Sequence, residues 1–186
     1  MSMVDESNRR AVILAGGRGS RLAPYTTVLP KPLMPIGDRA ILDVVVRQLR
    51  DFGFDHMTIA VGYLAHLVEA VLGDGSRHGV RIDYELEEEP LGTAGPFGTI
   101  DGLSDGPFLA MNGDILTTLD YGAFFEEHCR SGNAMTIATH ARVVRTNYGV
   151  LHLGEGGNGT ISSVTGYEAA GDRADDQPLA GGHDRD

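Results

Sequence analysis

Lys31 is the only lysine among the 186 residues of this chain, and it lies between two prolines in Leu29-Pro30-Lys31-Pro32-Leu33. Every other fixed cation is an arginine. An ammonium on a proline-stiffened segment is a compact point charge suited to phosphate oxygens, although an isolated Pro-Lys-Pro is also ordinary turn sequence. The run Leu14-Ala15-Gly16-Gly17-Arg18-Gly19-Ser20-Arg21-Leu22, just upstream, favours the phosphate reading. Its glycines let backbone N–H groups come close to an anion, and Arg18 and Arg21 offer forked donors to phosphate oxygens. Together these residues could hold a polyphosphate.

Spacing excludes two widespread phosphate-binding designs. The dinucleotide fingerprint needs a third glycine where Leu22 stands, and the P-loop needs Gly-Lys-Ser/Thr, which occurs nowhere in the chain. Triphosphate chemistry also calls for a hard cation, usually Mg²⁺, held by one or two carboxylates and by the phosphates themselves. Asp114, in Asn112-Gly113-Asp114, is the carboxylate best placed for that duty. Asn-Gly-Asp after a strand is equally familiar as turn chemistry, so its position has to decide.

The elements that must position these groups alternate. Residues 11–15 are a short apolar run of strand length that stops at Gly16-Gly17. Residues 39–52 place Ile41, Leu42, Val45, Val46 and Leu49 at helical spacing, with Gly53 closing the helix. A strand over 57–61, a helix over 64–72, a strand over 80–86, a helix over 93–102, a strand over 107–111 and a helix over 121–130 follow. This rhythm predicts a three-layer, Rossmann-like α/β fold, a mostly parallel sheet with helices on both faces. Ligands of such sheets sit beyond the carboxyl ends of the strands, where both Gly16 and Asp114 fall.

Composition narrows the function classes. The chain is 41% apolar and carries a formal charge of −11, enough for one core and contrary to the broad positive field of a nucleic-acid surface. Basic charge gathers early, at Arg9, Arg10, Arg18, Arg21, Lys31 and Arg39, while Glu85, Glu87, Glu88 and Glu89 read as a solvated strand end. Cys129 is the only cysteine, which leaves no internal disulfide, and the histidines show no metal-ligand spacing. No apolar run has transmembrane length and the first ten residues carry no apolar signal segment, so a cytoplasmic location and no membrane partner are expected.

Four segments in order then carry a resemblance. The Gly/Arg run, Leu29-Pro30-Lys31-Pro32-Leu33 with Pro35-Ile36-Gly37, Pro90-Leu91-Gly92-Thr93-Ala94-Gly95 and Met111-Asn112-Gly113-Asp114 resemble the sugar-1-phosphate nucleotidyltransferases, over roughly residues 10–168. The Pro-Leu-Gly-Thr-Ala-Gly segment looks most like the mannose-1-phosphate guanylyltransferase branch. The resemblance implies transfer of a nucleoside monophosphate from an NTP, GTP being favoured, to a sugar 1-phosphate, mannose 1-phosphate being favoured. Mg²⁺ is the implied cofactor and pyrophosphate the second product. It further implies that Leu14, Ala15, Gly16, Gly17 and Gly19 lie along the nucleotide and Gly92 against the base. Arg21 and Lys31 would neutralise the phosphates, Asp114 would hold Mg²⁺, and Gly149 and Glu168 would face the sugar. Gly92 also reads as a helix-start glycine and Gly149 as a strand-edge glycine.

The chain departs from that family after Val164-Thr165-Gly166-Tyr167-Glu168. Relatives continue Glu-Lys-Pro, whereas Ala169 and Ala170 follow here, so the lysine expected near the sugar phosphate is missing. Residues 169–186 are nearly devoid of apolar content and read as a disordered tail. A catalytically impaired nucleotide-binding or regulatory module of the same family is therefore the alternative, and homo-oligomerisation stays open.

Overall fold

The computed structural model describes residues 9–87, 89, 92–141, 150–155 and 161–168. They fall into two compact units, Met1–Thr136 and Ile137–Asp186. The expected tail, 169–186, lies outside the described residues.

The first unit is built on a four-stranded sheet in which every pairing is parallel. Strands β1 (Arg9–Leu14), β4 (Phe54–Val61), β5 (Arg81–Leu86) and β6 (Phe108–Asn112) are ordered β5-β4-β1-β6. Strand β1 sits inside the sheet and is apolar on both sides, as a parallel strand covered on both faces must be. Ala11 and Ile13 enter one core and Val12 the other, all fully buried. Two short strands, β2 (Pro35–Ile36) and β3 (Arg39–Ala40), pair antiparallel between β1 and the first helix. Their ladder explains why that helix starts at Ile41 rather than Arg39.

Helix α1 (Ile41–Asp51) buries Leu42, Val45, Val46 and Leu49, one stripe at the i, i+3, i+4, i+7 spacing. Helices α2 (Ala65–Leu72) and α3 (Tyr121–Ser131) share the same core, through Val68, Leu72, Tyr121 and Phe125. Asp120 caps α3 by accepting a hydrogen bond from the Ala123 N–H at 2.8 Å. Phe54 is fully buried and meets Phe125 edge to face, centroids 5.5 Å apart.

The opposite face corrects one expectation. Residues 93–102 form no α-helix; the segment holds a 3-10 turn at Gly95–Gly98, and a second follows at Leu103–Asp105. Ile100 and Leu103 still cover Val12, with Phe97 and Phe108 packed alongside. Four glycines and Pro96 between positions 92 and 102 account for the difference. Each interior glycine costs about 1 kcal/mol against alanine in a helix, more than the apolar periodicity of so short a segment can offset.

The second unit contains β7 (Val150–Glu155) and β8 (Ile161–Glu168), an antiparallel pair running from Val150 opposite Glu168 to Glu155 opposite Ile161. Among the described residues no helix is long and apolar enough to cross a membrane.

Candidate active site

At the carboxyl ends of the parallel strands, cross-strand hydrogen bonding continues one residue into each loop. The Ala15 N–H donates to the Ala60 carbonyl at 2.8 Å, the Gly113 N–H to Leu14 at 2.9 Å and the Glu87 N–H to Val61 at 2.8 Å. The exits of β1, β4, β5 and β6 are thereby tied together before they diverge. They open into a cavity of about 510 Å³, within the range of small-molecule sites.

The Gly/Arg loop forms one wall. Leu14, Ala15, Gly16, Gly17, Gly19 and Arg21 all line the cavity, with Arg18 beside them. A Cβ on Gly16 would stand 2.7 Å from the Glu87 carboxylate, so any larger residue there would displace that side chain. Gly19 has φ +60, and a Cβ on it would meet Thr26 at 2.9 Å and Lys31 at 3.3 Å. The buried Thr26 hydroxyl donates to the Gly19 carbonyl at 3.0 Å, folding the loop back toward the lysine.

Lys31 opens a 3-10 turn, Lys31–Leu33, whose Pro32 and Leu33 are buried. The stem of the lysine is thus anchored while its ammonium reaches the cavity. There it forms an ion pair with Asp114 across the mouth of the sheet. Asp114 owes its place to Gly113, which is buried against Ile13 and Leu42 where a Cβ would stand 3.1 and 3.2 Å from their side chains. The Asn-Gly-Asp segment is therefore both a tight turn and the support of a cavity carboxylate.

Gly92 also lines the cavity, at φ +76 and with open space where a Cβ would be. Its backbone conformation alone accounts for glycine at that position. Gly149 lies outside the described residues, and Glu168 ends β8 in the second unit, with its backbone opposite Val150.

Several groups were misread or missed in the sequence. Glu87, taken as part of a solvated strand end, is half-buried and lines the cavity, as do Gly62 and Tyr63 at the exit of β4. The early basic cluster divides. Arg9 and Arg10 stand at the start of β1, the end away from the cavity, where Arg9 pairs with Glu126 at 2.7 Å and Arg10 donates to the Asp101 carbonyl at 2.9 Å and to Thr58 at 3.2 Å. Arg39 pairs with Asp43. Arg18, Arg21 and Lys31 remain at the cavity, against the carboxylates of Glu87 and Asp114.

Among the described residues no group of three or more His, Cys, Asp or Glu could hold a metal ion unaided. One carboxylate beside a basic loop does suit a Mg²⁺ that arrives with its phosphates, because this ion keeps few protein ligands and takes phosphate oxygens for the rest. Asp114 meets that requirement.

The sequence model of the family described as nucleotidyl transferase matches residues 10–165. The chain belongs to the nucleotidyl transferase family. Among its relatives is a mannose-1-phosphate guanyltransferase of Aspergillus fumigatus, 36% identical over 76% of this chain and 40% of that protein. A mannose-1-phosphate guanylyltransferase of Mycobacterium tuberculosis is 36% identical over 67% of this chain and 34% of that protein. A UTP–glucose-1-phosphate uridylyltransferase of Synechocystis is 32% identical over 80% and 42%. This nucleotidyl transferase chain thus spans about two fifths of the length of the curated relatives it matches.

Two solved structures share the fold. One is a Bacillus anthracis protein named as a glucose-1-phosphate thymidylyltransferase, in complex with sucrose; its TM-score is 0.67 at 23% identity, over 87% of this chain and 64% of that one. The other is HddC from Yersinia pseudotuberculosis complexed with GMP-PN, with a TM-score of 0.56 at 30% identity, over 64% of this chain and 54% of that one. They bear out the three-layer α/β architecture with a mostly parallel sheet.

Proposed function

We propose that this chain carries the nucleotide half of a sugar-1-phosphate nucleotidyltransferase and that its substrates are GTP and mannose 1-phosphate. The observation that carries this reading is the convergence of the Gly/Arg loop, Lys31 and Asp114 on one cavity at the carboxyl edge of the sheet. In the reaction a phosphate oxygen of the sugar phosphate attacks the α-phosphorus of the nucleotide in line. A new P–O bond forms, the bond between the α-phosphorus and its bridging oxygen breaks, and pyrophosphate leaves.

The protein has little covalent chemistry to perform. Its task is to bring two anions together and offset their repulsion. The backbone from Ala15 to Gly19 lies along the nucleotide, with the Ala15 N–H held by the sheet, Arg21 and Arg18 take the outer phosphates, and Lys31 faces the reacting phosphorus. Asp114 is the residue that would hold Mg²⁺, whose chemistry here is neutralisation of phosphate charge.

The choice of guanine is supported by Glu87. A carboxylate only accepts hydrogen bonds. Guanine alone of the usual bases offers two adjacent donors, N1–H and the N2 amino group, on its pairing edge. Uracil and thymine offer one donor between two carbonyl oxygens, which a carboxylate repels. The guanylyltransferase names of several relatives and the GMP-PN complex of HddC point the same way. A second reading, nucleotide binding without turnover, is favoured by Ala169 and Ala170, which follow Glu168 where the family it resembles continues Glu-Lys-Pro.

The test is pyrophosphate release by the purified chain with Mg²⁺, each of GTP, dTTP, UTP and CTP, and a panel of sugar 1-phosphates. Release with GTP and mannose 1-phosphate is expected. Release with another pair would correct the substrates. Silence across the panel together with Mg²⁺-dependent GTP binding would support the second reading.

A further inference from the structure

The Gly/Arg loop is mostly exposed, from Gly17 and Arg18 through Arg21, Tyr25, Thr27 and Val28. A loop so little buried binds a triphosphate well only if something outside it fixes its shape, because ordering it at the moment of binding costs about 1–2 kcal/mol per residue. The exit of β4 supplies a support that belongs to none of the sequence motifs. Gly62 approaches so closely that a Cβ on it would lie 3.0 Å from the Gly16 carbonyl. The next residue, Tyr63, reaches over the loop. Its hydroxyl donates to the Thr27 carbonyl at 2.9 Å, and the Arg18 guanidinium carbon stands 6.0 Å from its ring centroid.

Leu64 then takes the left-handed conformation, φ 58 and ψ 33, to turn the chain into α2. A branched side chain in that region costs about 1–2 kcal/mol. Such strain persists only where the surrounding structure requires it, and here it sits directly beside the residue that crosses the loop.

Resting on the reading of the cavity as a triphosphate site, we propose that Tyr63 is a positioning residue for nucleotide binding. It ties the loop to β4 at Thr27, four positions before Lys31, and holds Arg18 over the phosphates, so it acts through the loop and the arginine. Its two contacts act on different parts of the loop. The hydroxyl sets the segment leading to Lys31, and the ring sets the Arg18 side chain.

The two contacts can be separated by calorimetric titration of Mg²⁺·GTP and of inorganic tripolyphosphate into the full chain. Tyr63→Phe keeps the ring and removes the bond to Thr27, so the dissociation constant should rise about threefold to tenfold, the usual worth of one hydrogen bond. Tyr63→Ala should add about a further twofold to fivefold, the worth of an exposed cation–π contact. That additional loss should vanish in an Arg18→Ala background, whereas the Tyr63→Phe loss should persist there. The melting temperature of Tyr63→Phe should stay within about 4 °C of the parent, since the tyrosine is partly exposed.

Lys31→Ala serves as the control. Unchanged affinity in Tyr63→Phe alongside a clear loss in Lys31→Ala would overturn the positioning role and leave the site standing. Unchanged affinity in both would remove the site and the proposal together. A Tyr63→Phe loss that came with a large fall in melting temperature would make the residue merely structural and also overturn it.

Discussion

Lys31 and Asp114 are 83 residues apart in the chain and form an ion pair where the Gly/Arg loop meets the exit of β6. Their side chains are 36% and 23% exposed, so the pair is only partly desolvated and stays within reach of water. An ion pair in such a setting contributes at most about 1 kcal/mol. Each partner can therefore exchange the other for a ligand of opposite charge without a large penalty, which suits a site that must admit a polyanion together with a cation.

The pairing predicts that nucleotide and Mg²⁺ bind cooperatively. Phosphate oxygens draw Lys31 away and leave the Asp114 carboxylate available, so GTP should raise the affinity for Mg²⁺, and Mg²⁺ the affinity for GTP, by the same factor. Titration of each with and without the other measures this directly. In Asp114→Asn the GTP affinity should no longer respond to Mg²⁺ while the melting temperature changes little. An equal response in variant and parent would return Asp114 to the role of a turn residue.

Gly19→Ala should fail in two ways at once. The backbone there is left-handed, at a cost of about 1–2 kcal/mol for a residue with a Cβ, and the added atom would press on Thr26 and Lys31 at 2.9 and 3.3 Å. A fall of a few degrees in melting temperature and weaker GTP binding are expected. Gly17→Ala, where a Cβ would meet nothing within 4 Å, is the comparison and should melt near the parent temperature.

Glu87→Gln should relax base choice. The amide can donate as well as accept, so it tolerates the carbonyl oxygens of uracil and thymine that the carboxylate repels. The ratio of GTP to UTP affinity should fall by about tenfold, given that a hydrogen bond to a charged group is worth about 1.5–3 kcal/mol. An unchanged ratio would place base selection elsewhere.

Stability should fall as the solution is acidified from neutrality. The buried His78 imidazole is held below its ordinary value by burial, with Asp43 at 3.6 Å opposing the shift and Arg47, Arg77 and Arg50 adding to it. Its folded form therefore stays neutral where the unfolded imidazole, at 6.5, begins to take up a proton. This contribution is complete above pH 6.5 and is lost as pH falls below it toward the folded value. Asp43 is shifted too. Burial raises it, but hydrogen bonds from Arg47 and Arg39 outweigh that and hold it below 3.8, so it titrates outside this window. Melting temperatures between pH 7.5 and 5.5 should drop in the parent and drop less steeply in His78→Gln.

The sequence was most legible where several physical requirements coincide in a short stretch. An apolar run ending in glycines gave β1 and the loop, and an apolar stripe at helical spacing gave α1. The rule that ligands gather at the carboxyl ends of parallel strands assigns Gly16 and Asp114 to one sheet edge from the sequence alone. Tyr63 and Glu87 were missed because each follows its strand in unremarkable company, a Gly-Tyr-Leu turn and an acidic run. The same rule, applied to the residues just beyond β4 and β5, would have flagged both. The segment 93–102 misled because the alternation of strand and helix calls for a helix there, whereas its glycines and Pro96 oppose one. The division of Arg9 and Arg10 from Arg18, Arg21 and Lys31 follows from which end of β1 each occupies, which composition alone does not reveal.

The central claim is that the Gly/Arg loop and Lys31 form a triphosphate site, and calorimetric titration of Mg²⁺·GTP into the parent chain and Lys31→Ala tests it most directly. The account predicts saturable binding by the parent and an affinity lower by about tenfold to a hundredfold in the variant, the worth of a charged hydrogen bond to phosphate. Equal affinities, or no binding by the parent, would contradict it.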